Sequence, residues 1–405
     1  MHEDWKPTTI GNLATFDNGY PFKPTELDGN GLPVIRIKQL LDPTQVPDKS
    51  SALVRPTQII DSGDLIFSWS ATLAARIWDR GPALLNQHLF KVIEVPGVLR
   101  EFMKLTLEHA IPNMNTHGTT MMHVTKRELV AHKVLLPPLD EQKRIVDAMS
   151  AVDAALSDNQ QLVQSIGAAR SAMLTTLLSQ GADSEELPWQ ERDLSELCDR
   201  DGTIQTGPFG SQLHSYDYVD EGTPVVMPTN MWHGRIVLDG IARVKDEDRD
   251  RLSRHSLRAG DIVYSRRGDV TKSSLVTEAE AGFLCGTGCL LVRPNSGVNS
   301  DWLYHWLNRD STKKWVIDHA VGATMANLNT KILGRVPVEV PPVATQQSIA
   351  ELANAFDAID HEARSSVSKY QALRSQLLSS LLSGHHRIPT SYDEMLGSNP
   401  DLVPA

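Results

Sequence analysis

The sequence repeats itself once, and this internal duplication restricts the possible folds more than any other feature does. Residues 31–35 (Gly-Leu-Pro-Val-Ile) match residues 222–226 (Gly-Thr-Pro-Val-Val), 191 positions later. By Gly118 and Gly322 the offset has grown to 204, and it then stays constant for 62 residues. Insertions accumulate in loops, whereas the constant stretch indicates a helix whose length matters. We therefore predict a tandem duplication, each half being a variable globular region followed by a helix of fixed length.

Size, charge and cysteine content exclude several classes of protein. A chain of 405 residues has material for two or three domains, and its formal net charge of −11 excludes a globally basic nucleic-acid coat. The three cysteines cannot form a disulfide framework, and no Cys-x-x-Cys pair suggests a metal site. Apolar runs such as residues 282–292 are too short to cross a bilayer, and no signal peptide is visible. We expect a cytoplasmic protein with no membrane partner.

Two long helices are predicted, at residues 140–180 and 345–383. A Pro-Pro pair precedes each span, and neither span contains a proline. Apolar residues recur along both spans at alternating spacings of four and three, which is a heptad pattern. The predicted caps are Asp140 and Thr345 at the N-termini and Gly181 and Gly384 after the C-termini.

A helix of this length is about 60 Å long, and its single apolar stripe needs a partner. We predict that the two helices pair as an antiparallel coiled coil about a pseudo-two-fold axis. The alternative is that each helix packs on its own globular region. The predicted seam consists of Ile145, Met149, Val152, Leu156, Val163, Ile166, Met173 and Leu177, and of Ile349, Ala353, Phe356, Ala363, Val367, Tyr370, Leu377 and Leu381.

Antiparallel pairing predicts two ion pairs, because the seam positions include repeated arginines. Arg170 would face Asp357, and Arg374 would face Asp153. An arginine at a seam position is costly unless it is paired. The alternative is that both arginines extend to solvent or meet another subunit.

The two globular regions are predicted to be α+β, with mixed or mainly antiparallel sheets. Short β-rich runs alternate in both with turns of Gly, Pro, Asn and Asp, and helical patterns occur at residues 100–109 and 301–318. The predicted strands are residues 34–37, 64–68, 89–93, 225–227, 261–265 and 290–292.

The predicted chain order is a globular domain, a helix, a second domain, a second helix and a tail. The C-terminal tail is either flexible or packs back on the first domain. The boundaries are residues 1–136 (domain 1), 137–183 (helix 1), 184–340 (domain 2), 341–384 (helix 2) and 385–405 (tail).

Common catalytic motifs are missing, which favours a binding protein over an enzyme. The chain has no phosphate-binding P-loop, no Gly-x-Gly-x-x-Gly, no Gly-x-Ser-x-Gly and no His-Glu-x-x-His. The Asn/Asp-Pro-Pro-aromatic tetrapeptide of amino-methyltransferases is also missing. Residues 251–272 carry six basic side chains against two aspartates, which fits a surface for phosphates or base edges, although such a run is more often a solvated face.

Several stretches resemble one family, the DNA specificity (S) subunits of type I restriction-modification systems. Residues 206–211 (Thr-Gly-Pro-Phe-Gly-Ser), followed by the Gly-x-Pro-Val-Val of residues 222–226, resemble the opening of a target recognition domain. Residues 260–269 resemble its central strand and loop, and residues 85–90 resemble another signature. Residues 137–145, with Pro-Pro-Leu-x-Glu-Gln, resemble the entry to a conserved spacer helix. The resemblance covers residues 1–384 in the family's order.

The resemblance implies a protein without catalytic activity of its own and without a cofactor or metal of its own. Each recognition domain would read one half of a split, asymmetric site in double-stranded DNA, and the paired helices would hold the halves apart. Two methyltransferase (M) subunits would bring S-adenosylmethionine and adenine-N6 chemistry. Two motor-nuclease (R) subunits would join for cleavage, with ATP and Mg²⁺ in the partners.

Candidate DNA-contacting residues are polar, charged or aromatic side chains in the loops of each domain, because such groups reach base edges and phosphates. Turn capping or strand surface explains each of them equally well. Phe209 is expected in the core, positioning its loop. The candidates are Lys23, Arg36, Lys38, Gln39, Ser68, Trp69, Ser70 and Arg76 in the first domain, and Ser211, Gln212, His214, Thr229, Asn230, Arg266, Arg267 and Lys272 in the second.

Two other functions remain open on the sequence. One is a specificity factor of a methylation-only or other phage-defence system. The other is a coiled-coil scaffold with two ligand-binding domains and no DNA. Binding to DNA that weakens steeply with salt would separate the first two from the scaffold.

Overall fold

A computed structural model describes residues 4–114, 123–179, 189–322 and 326–393. The chain forms two compact units. The first unit comprises residues 1–160 and 365–405, and the second comprises residues 161–364. Among the described residues, none of the helices combines the length and the apolar character that crossing a membrane requires.

The first unit is built on two four-stranded sheets. The first sheet has the order β2-β9-β6-β7 and the second the order β4-β3-β8-β5, while β1 pairs with β10. All four residues of β6 are buried because β6 is a central strand. The strands are β1 (Lys6–Thr9), β2 (Ala14–Asn18), β3 (Leu32–Ile35), β4 (Asp48–Ser50), β5 (Ile59–Ile60), β6 (Leu65–Ser68), β7 (Ala74–Ile77), β8 (Ala83–Leu85), β9 (Leu89–Glu94) and β10 (Lys133–Leu136). The helices are α1 (Ile10–Leu13), α2 (Ile37–Leu41), α3 (Arg100–Ala110) and α4 (Lys126–Ala131), followed by the long helix α5 (Leu139–Ser179).

The second unit follows the same plan, except that the fourth strand of its second sheet lies at the opposite edge, and it adds one hairpin. Its sheets have the orders β12-β21-β18-β19 and β13-β17-β14-β20, β11 pairs with β22, and the additional hairpin is β15-β16. The strands are β11 (Gln190–Asp193), β12 (Thr203–Thr206), β13 (Tyr218–Val219), β14 (Thr223–Val226), β15 (Met231–Trp232), β16 (Arg235–Ile236), β17 (Ala242–Val244), β18 (Ile262–Ser265), β19 (Ser273–Leu275), β20 (Leu284–Cys285), β21 (Cys289–Arg293) and β22 (Pro337–Val340). The helices are α6 (Asp246–Arg251), α7 (Ser300–Leu307), α8 (Asp310–His319) and α9 (Thr330–Gly334), followed by the long helix α10 (Val343–Leu382).

The α+β class and the mainly antiparallel sheets are confirmed. One parallel pair occurs in each unit, β3 with β8 and β14 with β20. The predicted strand at residues 34–37 is too long, because β3 ends at Ile35 and α2 follows. The Gln39 side chain accepts a hydrogen bond from the Arg36 N–H at 3.3 Å and turns the chain there. In the second unit, Asn230 does the same for the N–H of Met227 at 3.0 Å.

Both long helices are present, but their predicted N-caps are wrong. The helices begin at Leu139 and Val343, directly after the Pro-Pro pairs, so Asp140 and Thr345 lie inside the first turn. A carboxylate such as that of Asp140 is still favourable there, because it faces the positive end of the helix dipole. Gly384 has the positive φ expected of a C′ glycine, at 69°. Gly181 lies outside the described residues, as do most residues of the repeated Gly-x-Thr-Met stretches at 118–121 and 322–325.

The helices run antiparallel within each unit. In the first unit, Ile145 of α5 shares a buried core with Leu381 of α10. In the second unit, Leu178 near the end of α5 shares one with Ile349 near the start of α10. Each core also contains the sheet residues of its unit, so helix pairing and packing on the globular region occur together.

The predicted seam is too narrow at the helix ends. Leu174 and Leu178 are more deeply buried than the predicted Met173 and Leu177, and Leu378 and Leu382 are buried beside Leu381. Each helix end contacts both the other helix and the domain, so a wider face is covered there than heptad pairing alone requires.

A repeated glutamine attaches each long helix to its domain. The Gln142 side chain accepts the N–H of Leu99 at 2.9 Å and donates to the carbonyl of Pro137 at 3.0 Å. Gln346 accepts the N–H of Asn299 at 2.9 Å and donates to the carbonyl of Pro341 at 2.9 Å. The repeated Pro-Pro-x-x-x-Gln sequence therefore has a structural role in both units.

The described part of the tail packs on the first unit. Ile388 contacts the apolar core, and the fully buried Glu141 accepts hydrogen bonds from Arg387 and from the N–H of Ile388, both at 3.2 Å. Arg144 donates to Asp393 at 2.7 Å. Of the two possibilities for the tail, the structure shows packing for residues 385–393, and residues 394–405 lie outside the described part.

Candidate nucleic-acid interface

Loops from several strand ends meet at one edge of each unit. We name these the first loop edge (residues 19–23, 36–39, 69–73 and 86–88) and the second loop edge (residues 207–217, 227–230, 266–272 and 286–288). At both edges a repeated glycine allows two loops to touch. A Cβ on Gly19 would lie 2.2 Å from the carbonyl oxygen of Asn86, and one on Gly207 would lie 1.9 Å from that of Gly286. Backbone hydrogen bonds join the loops, for example from Gln87 N–H to Tyr20 and from Arg266 N–H to Gly288.

Three of the first-domain candidates present charge at the first loop edge. Lys23 and Lys38 are exposed. Arg36 is half-buried, and its Nη1 lies 2.5 Å from Asp48 Oδ2. A guanidinium held by a carboxylate must give up that pair before it contacts DNA, so the two lysines are the more available cations.

Three other first-domain candidates are buried, which corrects their assignment to direct contact. Gln39, Ser68 and Ser70 are at most 3% exposed. Gln39 donates to the carbonyl of Val46 at 3.1 Å, and the Ser68 hydroxyl donates to the carbonyl of Ser70 at 3.3 Å. Their polar groups shape the loops, since a buried polar group is normally satisfied within the protein.

Trp69 lies at the first loop edge but is half-buried. Its Nε1 donates to the carbonyl of Gln87 at 3.3 Å, and its ring lies 5.5 Å from the His88 ring. Gln87 is exposed and His88 is half-buried, so the edge presents two side chains that the sequence analysis did not select. Their position directly before a buried strand was the available signal.

Arg76 is exposed but lies on β7, away from the first loop edge, so its contact with DNA stays a prediction that its position does not favour. It pairs with Ile66 across β6 and β7, two residues further from the turn than Ala74. Its Nη1 lies 3.6 Å from Glu108 Oε1 on α3. Strand β7 leads back from the turn and brings Arg76 to the helices of the first unit.

The candidates of the second unit are brought together more completely. The exposed ones are Ser211, His214, Thr229, Arg267 and Lys272, and the half-buried ones are Gln212 and Arg266. Asn230 is only 4% exposed, which corrects its assignment, because its side chain caps the short helical turn after β14.

Phe209 and Arg266 form a pair at the second loop edge. The Phe209 ring is 49% exposed, so its expected core position is wrong. The Arg266 guanidinium carbon lies 5.7 Å from the ring centroid, within the range of a cation–π contact. Gln212 accepts the N–H of Phe209 at 3.1 Å and turns the backbone so that the ring faces outward.

Exposed aromatic side chains are the main feature that the sequence analysis missed. Tyr216 is 77% exposed and stacks on His214, with ring centroids 4.9 Å apart and planes 16° apart. Trp232, on the additional hairpin, is 63% exposed. The spacing of His214 and Tyr216, two residues apart in a polar loop, was the available signal. Such rings can stack on nucleobases or sugars.

The basic run at residues 251–272 is divided in the structure. Arg251 Nη2 lies 2.6 Å from Asp248 Oδ1 on α6, whereas Arg266, Arg267 and Lys272 belong to the second loop edge. The Thr271 hydroxyl donates to Asp269 and lowers the pKa of that carboxyl group. Asp269 therefore stays ionised and offsets one of the three positive charges.

The two seam ion pairs are both present. Arg170 Nε lies 2.5 Å from Asp357 Oδ1 in the second unit. In the first unit Arg374 donates to both oxygens of Asp153, with Nη2 3.1 Å from Oδ2. Hydrogen bonds to Asp153 and Glu108 raise the pKa of the Arg374 guanidinium, so its charge is secure.

Burial disfavours the reactive thiolate form of two of the three cysteines. Cys285 and Cys289 are fully buried in β20 and β21, and burial raises the pKa of Cys285 to about 12. In the part of the chain that the structure describes, no group of three His, Cys, Asp or Glu side chains is placed to hold a metal ion.

Comparison with known proteins identifies the arrangement. The family model described as "Type I restriction modification DNA specificity domain" matches residues 2–166 and 187–367. The chain is 23% identical to the type I restriction enzyme EcoBI specificity subunit of Escherichia coli, covering 100% of this chain and 90% of that one. It is 21% identical to the MjaVIII specificity subunit of Methanocaldococcus jannaschii, covering 95% and 94%. The fold is similar to the crystal structure of a type I restriction-modification S subunit from M. genitalium, with a TM-score of 0.57, 16% identity, and coverage of 93% and 96%.

Proposed function

The chain belongs to the family of type I restriction modification DNA specificity domains, and we propose that each of its two units reads one half of a split, asymmetric DNA site. The observation that carries the proposal is one scaffold present twice with different loop edges. Gly19 and Gly207 occupy the same place in the two units. The first loop edge presents Lys23 and Gln87, whereas the second presents Arg266 and the stacked rings of His214 and Tyr216. Because the symmetry of a protein is mirrored in its DNA site, two different edges fit a non-palindromic site.

Residues 1–136 and 184–340 are the proposed recognition domains, and residues 137–183 and 341–384 are the proposed spacer. The constant offset over the helices supports a spacer of fixed length. The Arg170–Asp357 and Arg374–Asp153 pairs support one fixed register, since a shift of either helix would leave four charges without partners at a partly buried seam.

Catalysis is assigned to partner subunits. Two methyltransferase subunits would supply S-adenosylmethionine and transfer methyl groups to adenine N6, and two motor-nuclease subunits would use ATP and Mg²⁺ for cleavage, all in the cytoplasm. The support is the net charge of −11, which makes strong DNA binding by this chain alone unfavourable and favours shared binding with a partner.

Sequencing of methylated DNA tests the proposal. A methylation-free host would carry this chain with the methyltransferase subunit encoded beside it, and single-molecule sequencing would map modified adenines. We expect one split motif, methylated in both halves. The Arg266→Ala/Arg267→Ala chain should lose methylation at that motif while still forming the complex. A stable complex that modifies no DNA, or no complex at all, would contradict the proposal.

A further inference from the structure

The first unit has a polar cleft beside β7, the strand that leads back from its first loop edge. The cleft has a volume of about 530 Å³ and lies between the sheet, α3 and both long helices. Its lining includes Arg76 on β7, Lys104 and Glu108 on α3, Asp153 on α5, and Arg374 and Ser375 on α10. All of these residues belong to the first unit.

Three cations in this cleft share one carboxylate. Lys104 Nζ and Arg76 Nη1 lie 3.3 Å and 3.6 Å from Glu108 Oε1, and Arg374 Nη2 lies 2.7 Å from Oε2. Asp153 is the second carboxylate of the lining and pairs with Arg374. Three cations against two carboxylates leave the lining with a charge of +1.

The equivalent place in the second unit is filled by this chain itself. There the additional hairpin β15–β16 packs on the edge strand β19, and Ser274 donates to the carbonyl of Arg235 at 3.2 Å. The hairpin also reaches α7, because a Cβ on Gly234 would lie 2.1 Å from the Tyr304 hydroxyl. His233 lies close enough to Asp360 and Arg364 of α10 for their charges to act on its pKa.

Internal equivalence shows that the cleft and the hairpin site correspond. Val263 pairs with Ser274 as Ile66 pairs with Arg76, so Ser274 takes the place of Arg76. Leu99 and Asn299 are equivalent, because each donates its backbone N–H to the repeated glutamine of its unit. Tyr304 and Asn308 follow Asn299 by the same numbers of residues as Lys104 and Glu108 follow Leu99, so they take the places of Lys104 and Glu108. The second unit thus has neutral residues at all three positions.

Among its described residues, the first unit has no hairpin at the place of β15–β16. The connection from α2 to β4, residues 42–47, contains no strand, while the corresponding connection of the second unit holds β15 and β16. Within the described residues, the outer edge of β7 pairs with no other strand. An edge strand beside an open cleft is suited to the addition of an extended segment from another chain.

We propose that this cleft of the first unit binds an extended, acidic segment of the partner methyltransferase subunit, in the place that hairpin β15–β16 occupies in the second unit. The proposal rests on the proposed function for the identity of the partner. The charge of the lining indicates what kind of segment binds. In the second unit the lining is neutral and the hairpin beside it carries Arg235, whereas the lining of the first unit has a charge of +1 and therefore favours a segment with a carboxylate. The two copies of the partner then bind in different ways, one with this contact and one without it.

Counting partner copies tests the proposal. The full chain and the neighbouring methyltransferase subunit would be combined and examined by native mass spectrometry over a titration. Arg76→Glu reverses the charge of the cleft, and Ser375→Trp fills it while leaving every charge in place. Arg127→Glu is the matched control, an exposed cation on α4 of the same unit that does not line the cleft.

The wild-type chain and Arg127→Glu should bind two copies. Both cleft variants should keep one copy at the wild-type affinity and bind the other at least about tenfold more weakly. Two copies bound with wild-type affinity by both cleft variants would overturn the inference and leave the proposed function intact. Weaker DNA binding with an unchanged copy number would also overturn it, since the cleft would then be a DNA surface. A wild-type chain that binds no methyltransferase subunit would overturn the proposed function together with the inference.

Discussion

At the scale of single residues, repetition made some positions predictable. Arg170 and Arg374 stand out because the same charge recurs at the same place in two apolar seams, and antiparallel pairing then specifies Asp357 and Asp153 as partners. Loop residues offer no such constraint. Gln39 and Asn230 look like base-reading side chains in a sequence, but each is buried and caps a turn. Whether a loop amide faces DNA or its own backbone depends on turn geometry that local sequence does not specify.

Ala71 has a strained backbone conformation, and a glycine stands at the equivalent position of the second unit. Ala71 has a φ of 57° in the turn between β6 and β7, and the equivalent residue of the second unit is Gly268, with a φ of 75°. Ala71→Gly should therefore stabilise the first unit by about 0.5–1 kcal/mol, because glycine adopts this conformation without a Cβ clash. Gly268→Ala should destabilise the second unit by about 1 kcal/mol. Urea unfolding of both variants checks the pair, and a loss of stability in Ala71→Gly would contradict it.

At the scale of elements, the sequence predicts where the long helices lie, but it does not predict how their ends pack. Both long helices follow from the constant offset, the heptad spacing and the Pro-Pro pairs. Their starts were misplaced by one to two residues, and the extra burial of Leu174 and Leu378 was missed, because the domain covers a second face of each helix. Hairpin β15–β16 was also missed, since its strands of two residues are too short to show a pattern.

The turn between β18 and β19 is the element on which DNA binding by the second unit should depend most. Replacing both Arg266 and Arg267 by Ala removes two cations and the partner of the Phe209 ring. We expect DNA affinity to fall by about tenfold to a hundredfold, with a shallower dependence on salt. Fluorescence anisotropy at two salt concentrations, with the methyltransferase subunit present, measures this.

Arg249→Ala is a suitable control for that experiment, because Arg249 is a half-buried cation on α6 that pairs with Asp246 and Asp250, outside the second loop edge. Its affinity should stay near that of the wild type. If the double variant failed to assemble with the methyltransferase subunit, the turn would have a structural role and the affinity would say nothing about base contacts.

Reversing the two seam ion pairs should give different results in the two units. Asp357→Arg alone should destabilise the second unit by about 3 kcal/mol, because two guanidinium groups would meet at a partly buried position. Adding Arg170→Asp should restore most of the lost stability, because it forms the reversed ion pair. The other neighbour of Arg170 is His305, at 3.2 Å, and it lies in a site that disfavours its charged form.

The same exchange in the first unit, Asp153→Arg with Arg374→Asp, should not restore stability. The new carboxylate at position 374 would face Glu108, which now accepts from Arg374 at 2.7 Å. Thermal unfolding of both single and double variants completes two double-mutant cycles. Equal recovery in the two units would show that Glu108 does not matter to the pair.

At the scale of the whole molecule, the compact units do not follow the order of the chain. The first unit contains both chain ends, residues 1–160 and 365–405. This follows from antiparallel pairing, which brings the end of α10 to the start of α5, so that Gly384 lies against Trp5 and Leu135. The repeat predicts two similar halves, but only the tertiary contacts reveal which half of each helix belongs to which unit.

Histidines with lowered pKa values should make the molecule sensitive to mild acid. Burial lowers the pKa of His109 and His132 in the first unit and of His233, His255 and His305 in the second. A histidine whose folded pKa is depressed binds protons more readily in the unfolded state. Its contribution to stability is therefore complete above the ordinary pKa of about 6.5 and is lost as the pH falls below that value.

His305 should account for the largest single share of this loss. It is fully buried, its Nε2–H donates to Asn354 Oδ1 at 2.9 Å, and its Nδ1 accepts from Arg170 at 3.2 Å. Protonation of Nδ1 would remove that acceptor and place a cation against the Arg170 guanidinium, although Asp357 Oδ2 at 4.0 Å would offset part of the repulsion. His305→Gln keeps a donor and an acceptor without a titrating group. The urea midpoint of the second unit should fall between pH 7 and pH 5.5 in the wild type and fall less in this variant. An equal fall in both would mean that the acid sensitivity comes from the other histidines.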